Sequence, residues 1–194
     1  SWGPYVDYGY DTLNSRYFAT EGSYLESRLS YIRGWGSDEA QQQESWGLVS
    51  NLDYLKPMAL ADRHTLSLRL AGGGADVSEL LPIYLQDLGG LFNLSGYQRY
   101  QLSGRYKLFC GLIYSYRLLD NNFGAIKSPL YVGASLERGN IWDRSGAIEL
   151  GDMLNAGSVY VGSDTFLGPV YLAYGQAQGG ADSFYLFFGN TFGL

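Results

Sequence analysis

The feature that most limits this chain is a two-residue alternation sustained over long runs. Leu66, Leu68 and Leu70 alternate with Ser67 and Arg69. Leu130, Val132, Ala134 and Leu136 alternate with Tyr131, Gly133, Ser135 and Glu137, while Leu108, Cys110, Leu112, Tyr114 and Tyr116 stand opposite Lys107, Ser115 and Arg117. Successive side chains of a strand point to opposite faces, so each run is a strand with one apolar and one polar face. Nine segments carry the pattern: Pro4–Asp11, Gly22–Arg33, Ser45–Pro57, His64–Gly72, Gly104–Leu119, Leu130–Gly139, Ala156–Thr165, Pro169–Gln176 and Ser183–Leu194. Most reach the roughly 9–11 residues that a tilted strand needs to cross a bilayer.

Two architectures accept such strands, a soluble sandwich and a membrane barrel, and composition separates them. The chain has 18 Tyr and 27 Gly in 194 residues, and only 16% of its residues are charged, against about 25% in soluble domains. A membrane barrel needs aromatic girdles and a polar lumen. The reading is an all-β, antiparallel transmembrane barrel, a single domain over residues 1–194. No apolar run of about 18 residues provides a transmembrane helix. The charges Glu26, Arg28, Asp53, Arg69, Arg117 and Glu137 then belong in the lumen as a network of paired ions, since an Arg on the lipid face costs about 2–4 kcal/mol near the midplane. Trp2, Trp35, Trp46 and Trp142 fall near strand ends, where interfacial girdles sit.

The connections alternate as well. Phe166–Gly168 and Lys56–Arg63 are tight, and Gly34–Glu44 and Gly73–Ser103 are long and polar, the pattern of short periplasmic turns and long outer loops. Single-chain bacterial barrels have even strand numbers, so eight wall strands are expected from the nine segments, with Pro4–Asp11 lost or shared with another protomer. An eight-stranded barrel has room inside only for side chains. Ser1-Trp2-Gly3-Pro4 has no charged n-region followed by an apolar run, so the chain is expected to be a mature or trimmed form.

Chemistry-bearing groups are scarce. The net charge of −6 excludes a large basic nucleic-acid surface. The only His is His64, at a turn edge, and no Gly-x-Ser-x-Gly elbow exists. Cys110 is alone and forms no intrachain disulfide. Asp120-Asn121-Asn122 is an ordinary turn former, and Gly72-Gly73-Gly74 lacks the lysine of a phosphate loop. No enzyme activity, cofactor or metal is expected. A lipid-modifying barrel enzyme would have His64 as its one obvious catalyst.

The chain ends in Phe188-Gly189-Asn190-Thr191-Phe192-Gly193-Leu194. Gly189 followed by alternate Phe192 and Leu194 resembles the bacterial outer-membrane insertion signal, which implies delivery by the barrel-assembly machinery to the outer membrane of a Gram-negative cell. An ordered set of further motifs resembles the BamA/TamA-like outer-membrane assembly superfamily (bacterial surface antigen barrels). Tyr17-Phe18-Ala19-Thr20-Glu21-Gly22 resembles its short periplasmic turn. Leu88-Gly89-Gly90 with Leu94-Ser95-Gly96-Tyr97 resembles its long loop, which folds back into the lumen. Glu137, Gly139 and Trp142 match its strand motif Asp-x-Gly-x-x-Trp, and Phe166-Leu167-Gly168-Pro169 its turn before the penultimate strand. Within the superfamily the chain is most similar to the translocator barrel of PlpD-type patatin-like autotransporters. The resemblance implies protein export or membrane biogenesis, outer-membrane lipids as surroundings, and an oligomer, in the simplest case a homodimer.

Two departures from that pattern matter. Ser95 stands where the loop-tip Arg is usual, and Glu137 where the Asp is usual, so the customary ion pair is missing; Arg99 or Arg105 as a substitute, or a Ser95–Glu137 hydrogen bond, are the alternatives. Barrels of the superfamily have about sixteen strands, within the 8–26 range of such proteins, and follow POTRA domains. This chain carries neither POTRA nor lipase sequence, and the expectation is a short stand-alone member. Loss of the tip Arg and of POTRA domains also suits a structural or small-solute barrel that no longer translocates.

Overall fold

The computed structural model describes residues 2–35, 44–78, 84–120, 122–123, 126–165 and 168–189. Nine strands form one antiparallel meander: β1 (Tyr5–Asp11), β2 (Tyr24–Trp35), β3 (Glu44–Ala61), β4 (His64–Val77), β7 (Tyr106–Leu119), β10 (Leu130–Trp142), β11 (Leu154–Thr165), β12 (Gly168–Ala177) and β13 (Asp182–Phe188). Two short pairs lie outside it, β5 (Gln86–Leu88) with β6 (Leu102–Gly104), and β8 (Asn122–Phe123) with β9 (Ile126–Lys127). Among the described residues no helix is long and apolar enough to cross a membrane.

All nine predicted segments are strands, and the first corrects the expected count. Pro4–Asp11 is not lost: Tyr5 to Asp11 pair residue by residue with Ser30 to Tyr24, giving nine strands in the sheet, not eight. Among the described residues no ladder joins β1 to β13. The turn placed at Lys56–Arg63 shrinks to Asp62–Arg63, because β3 and β4 remain paired to Ala61 and His64. The loop placed from Gly73 starts after Val77, since Gly73 and Gly74 pair with Asn51 and Ser50 and Ala75 and Val77 pack with Val49 and Tyr84.

The two faces of the sheet are inverted relative to a soluble protein. On β10, Leu136 is 73% exposed while the next residue, Glu137, is 4% exposed. On β4, Leu70 is 38% exposed and Arg69 only 6%. The exposed face continues through Leu112, Val159, Val161, Leu172, Phe184, Leu186 and Phe188. The covered face is concave. Phe18, from the β1–β2 connection, stacks on Tyr131 of β10 with ring centroids 4.0 Å apart and tilts against Tyr171 of β12. The segment from Tyr84 to Gly104 lies inside the curl, where Leu88, Phe92 and Leu94 are fully buried.

Phe92 meets Tyr160 and Tyr171 edge-on at 4.9 and 5.8 Å, and Leu88 and Leu94 pack with Ala71 and Phe109. Among the described tryptophans, Trp2 and Trp46 are exposed as a girdle requires; Trp142 is buried, which corrects its placement there. Because Phe18 ties the β1–β2 end to β10–β12, Phe18→Ala should lower unfolding stability by about 2–3 kcal/mol, near the low end for a lost aromatic. Denaturant titration in detergent micelles checks this.

Candidate functional site

The loop from Tyr84 to Gly104 turns sharply at its tip. Gly89, Gly90 and Gly96 have φ of 126°, 107° and 109°. Phe92 and Leu94 also lie in the left-handed region, at 59° and 74°, a conformation costing of order 1–3 kcal/mol for each such residue. Internal bonds from Gly89 N–H to Asn93 O and from Gly90 N–H to Tyr97 O close the turn, and Phe92 N–H donates to Ser95 Oγ at 3.0 Å. Something outside the loop must hold the strained tip.

Glu137 does so from β10. Its Oε2 accepts Leu94 N–H and Ser95 N–H, both at 2.7 Å, and its Oε1 accepts Ser95 Oγ–H at 2.7 Å and Ser135 Oγ–H at 2.5 Å. Ser135 has one proton and gives it to Glu137, so Ser158, 2.7 Å away, donates to Ser135. Ser95 and Glu137 are both buried. A buried carboxylate with four donors is satisfied, and charge-assisted bonds of this kind are about twice as strong as neutral ones. Of the alternatives left open by the missing tip arginine, the Ser95–Glu137 bond is the one present; Arg99 stacks on Tyr100, and Arg105 donates to Val77 O.

Two further strands complete the grip. Arg69 of β4 pairs with Asp53 of β3 at 2.7 Å and donates to Phe92 O at 2.9 Å. Tyr185 of β13 accepts Gly96 N–H and donates to Tyr97 O, each at 2.8 Å, and Ser183 Oγ donates to Gly96 O. Close approach demands small residues. A Cβ on Gly96 would lie 2.5 Å from Ala177 N, one on Gly175 would lie 2.8 Å from Ser95 Cβ, and one on Gly139 would lie 3.1 Å from Leu88 Cδ2. The strand motif thus divides its work: Glu137 binds the tip and Gly139 leaves space for Leu88. Trp142 is buried at the strand end, its indole N–H without an acceptor among the described residues.

The predicted lumen charges are not one network. Arg28 pairs with Asp7 at 2.6 Å on the exposed flank of the sheet, and Glu26 accepts from Tyr24 OH. Arg117 and Arg63 both reach Asp120, at the end of the sheet opposite the loop. Arg69, paired with Asp53, and Glu137 touch the docked loop. Separate groups form because the sheet is wide and a salt bridge spans only neighbouring strands. Of the insertion signal, Gly189 has φ 107°, while Phe192 and Leu194 lie outside the described residues. His64 Nδ1 is 2.7 Å from Tyr114 OH, and its ring lies against those of Tyr114 and Tyr116. Among the described residues no three His, Cys, Asp or Glu side chains group as metal ligands.

Beside the docked loop is a cavity of about 860 Å³. Asn51, Asp53, Arg69, Lys107, Arg99 and Asp182 line it with mixed charge.

Glu137→Ala leaves two backbone N–H groups and a serine pair without their acceptor. Leaving buried donors unpaired costs about 1–3 kcal/mol each, so the tip should undock while the sheet persists. Hydrogen exchange at residues 89–97 should accelerate strongly, and trypsin should cut after Arg99. Ser95→Ala, which removes one of the four bonds to Glu137 and the acceptor of Phe92 N–H but leaves both backbone bonds to the carboxylate, should have a smaller effect by the same measurement. The chain matches no protein-family model and no curated protein, so the role of the clamp rests on its geometry.

Proposed function

We propose that this chain forms wall and plug of an outer-membrane β-barrel of the assembly and translocator type, acting in export or membrane biogenesis without enzymatic chemistry. The observation that carries the reading is the inversion of the sheet: leucines and phenylalanines face outward, while Arg69 and Glu137 are buried against a docked loop. A soluble protein has no reason to cover its charges and expose its apolar face. A bilayer requires it, and requires backbone groups to be satisfied within the sheet. The motif resemblance, with Glu137 gripping Ser95, supports the translocator type.

A second reading, a small-solute barrel, is favoured by the cavity beside the loop and its balanced charges. Planar bilayers separate the two. For a plugged wall, the unaltered protein is silent and Glu137→Ala conducts; for a solute barrel, steady conductance is present without any substitution. The role in biogenesis is tested by depleting the protein, which should alter the outer-membrane proteome; an unchanged proteome and permeability would overturn it.

The membrane reading yields its own test. Leu136 is the central residue of the outward face of β10, where an Arg should cost about 2–4 kcal/mol of insertion free energy. Leu136→Arg should therefore lower recovery in urea-washed membranes, and Leu136→Phe should leave it unchanged.

A further inference from the structure

The outward face of the sheet carries a dent. Gly157 of β11 stands beside Leu136 of β10 and Gln176 of β12. It has no side chain to level the wall, and a Cβ there would lie 2.9 Å from Ser135 O. Two residues further along β11, on the same face, Val159 pairs with Tyr174 of β12, whose ring lies 4.8 Å from that of Phe184. Leu136 and Val159 are exposed. With Tyr174 they wall an open groove of about 700 Å³ that runs over Gly157.

The groove changes character along its length. Toward the end of the sheet where the Tyr84–Gly104 loop enters, its lining is Asn155, Gln176 and Gln178. Asn155 Nδ2 donates to Gln178 Oε1 at 3.0 Å, and Gln178 N–H donates to Asn155 O at 2.7 Å. The side-chain oxygen of Gln178 is thereby used, while its Nε2 hydrogens and the amide of Gln176 have no partner among the described residues. Arg138 stands next to Asn155 on the same face, two residues beyond Leu136. It is exposed, and its Nη2 donates to Leu150 O at 3.1 Å on the β10–β11 connection. Glu149 and Asp152 belong to that connection, yet Arg138 makes no ion pair among the described residues. Where this face meets lipid, a guanidinium lays its methylene stem along apolar surface and reaches the headgroup layer with its charge.

We propose that this groove binds one phosphorylated glycolipid of the outer leaflet, with an acyl chain over Gly157, sugar hydroxyls on the amides of Asn155, Gln176 and Gln178, and the phosphate on Arg138. The inference rests on the outer-membrane reading above, in which the long loops mark the outer side. Each part of the lipid meets its own chemistry. A planar guanidinium fork matches phosphate oxygens two at a time. Side-chain amides both donate and accept, as sugar hydroxyls do. A zwitterionic phospholipid would instead bring an ammonium beside Arg138, and the groove lining has no carboxylate to receive it.

The test uses the full chain extracted from native outer membranes in mild detergent. Recovery in urea-washed membranes is scored first: a chain not retained there overturns the membrane reading, and the site with it. A retained chain is titrated by native mass spectrometry with diphosphorylated lipid A, its dephosphorylated form and phosphatidylglycerol, and with inorganic phosphate as competitor. One lipid A should bind per chain, about tenfold tighter than either comparison lipid. Arg138→Gln should weaken lipid A binding about tenfold, the scale of one charge-assisted contact, and leave the dephosphorylated form unaffected. Val159→Trp, which fills the apolar end of the groove, should weaken both forms of lipid A; Leu29→Trp, on the outward face of β2, should weaken neither. Phosphatidylglycerol binding as tightly as lipid A would overturn the site. So would lipid A binding that either Arg138→Gln or Val159→Trp leaves unchanged. Displacement of lipid A by inorganic phosphate alone would also overturn it, in favour of a free-phosphate site.

Discussion

The carboxylate of Glu137 is where the strands and the loop become one structure. The loop tip needs Phe92 and Leu94 in left-handed conformations and presents two inward N–H groups that the loop cannot satisfy. Glu137, for its part, is a charge on the covered face of a sheet, where an isolated ion is expensive. Each would be unstable alone. Together they offset one another, and the tip is set deep enough for Leu88 and Phe92 to fill the space under β4, β7 and β11. The arrangement also explains the glycines opposite: a larger residue at Gly139 or Gly175 would hold the tip away from the carboxylate.

Strand identity was the most legible property of the sequence, and for a physical reason. A strand with lipid-compatible residues on one side and charge on the other repeats every two residues, and no helix reproduces that period. Boundaries were less legible where local propensity and packing disagree. Gly73-Gly74 reads as the start of a loop, yet both residues lie within β4, where Gly73 accommodates the side chain of Gln86 and Gly74 the ring of Tyr106. Lys56 to Arg63 reads as a turn, but the β3–β4 ladder runs on past Pro57 through Met58 and Ala59 to Ala61. The first strand was expected to be lost on an even-number argument that holds for complete closed barrels; its alternation, with Val6, Tyr8 and Tyr10 on one face, was the better guide.

The site was legible in part. A Ser95–Glu137 hydrogen bond was among the alternatives read from the sequence, and the glutamate reaches the tip backbone as well as the Ser95 hydroxyl. Arg69 was marked as a lumen charge, but its bond to Phe92 O was not foreseeable, since a carbonyl leaves no trace in the residue name. Tyr185 was missed altogether: it was one aromatic among many in a terminal strand, and its partners Gly96 and Tyr97 are 89 and 88 positions away. Alternation alone separated Tyr185 from the outward-facing Phe184 and Leu186. The grouping of the charges was misjudged because spacing along the chain says which face a residue occupies, not how far apart two strands of a wide sheet stand.

The hold of β13 on the loop tip has a consequence in time. Loop closure over a long separation is slow relative to pairing of adjacent strands, and β2 through β12 each pair with a sequence neighbour or across the loop itself. Gly96 and Tyr97 obtain their last bonds from Ser183 and Tyr185, on the ninth strand of the meander. The tip therefore finishes docking after the end of the sheet has been laid down. Its seating marks the completion of the wall, much as a latch closes only on a door already hung.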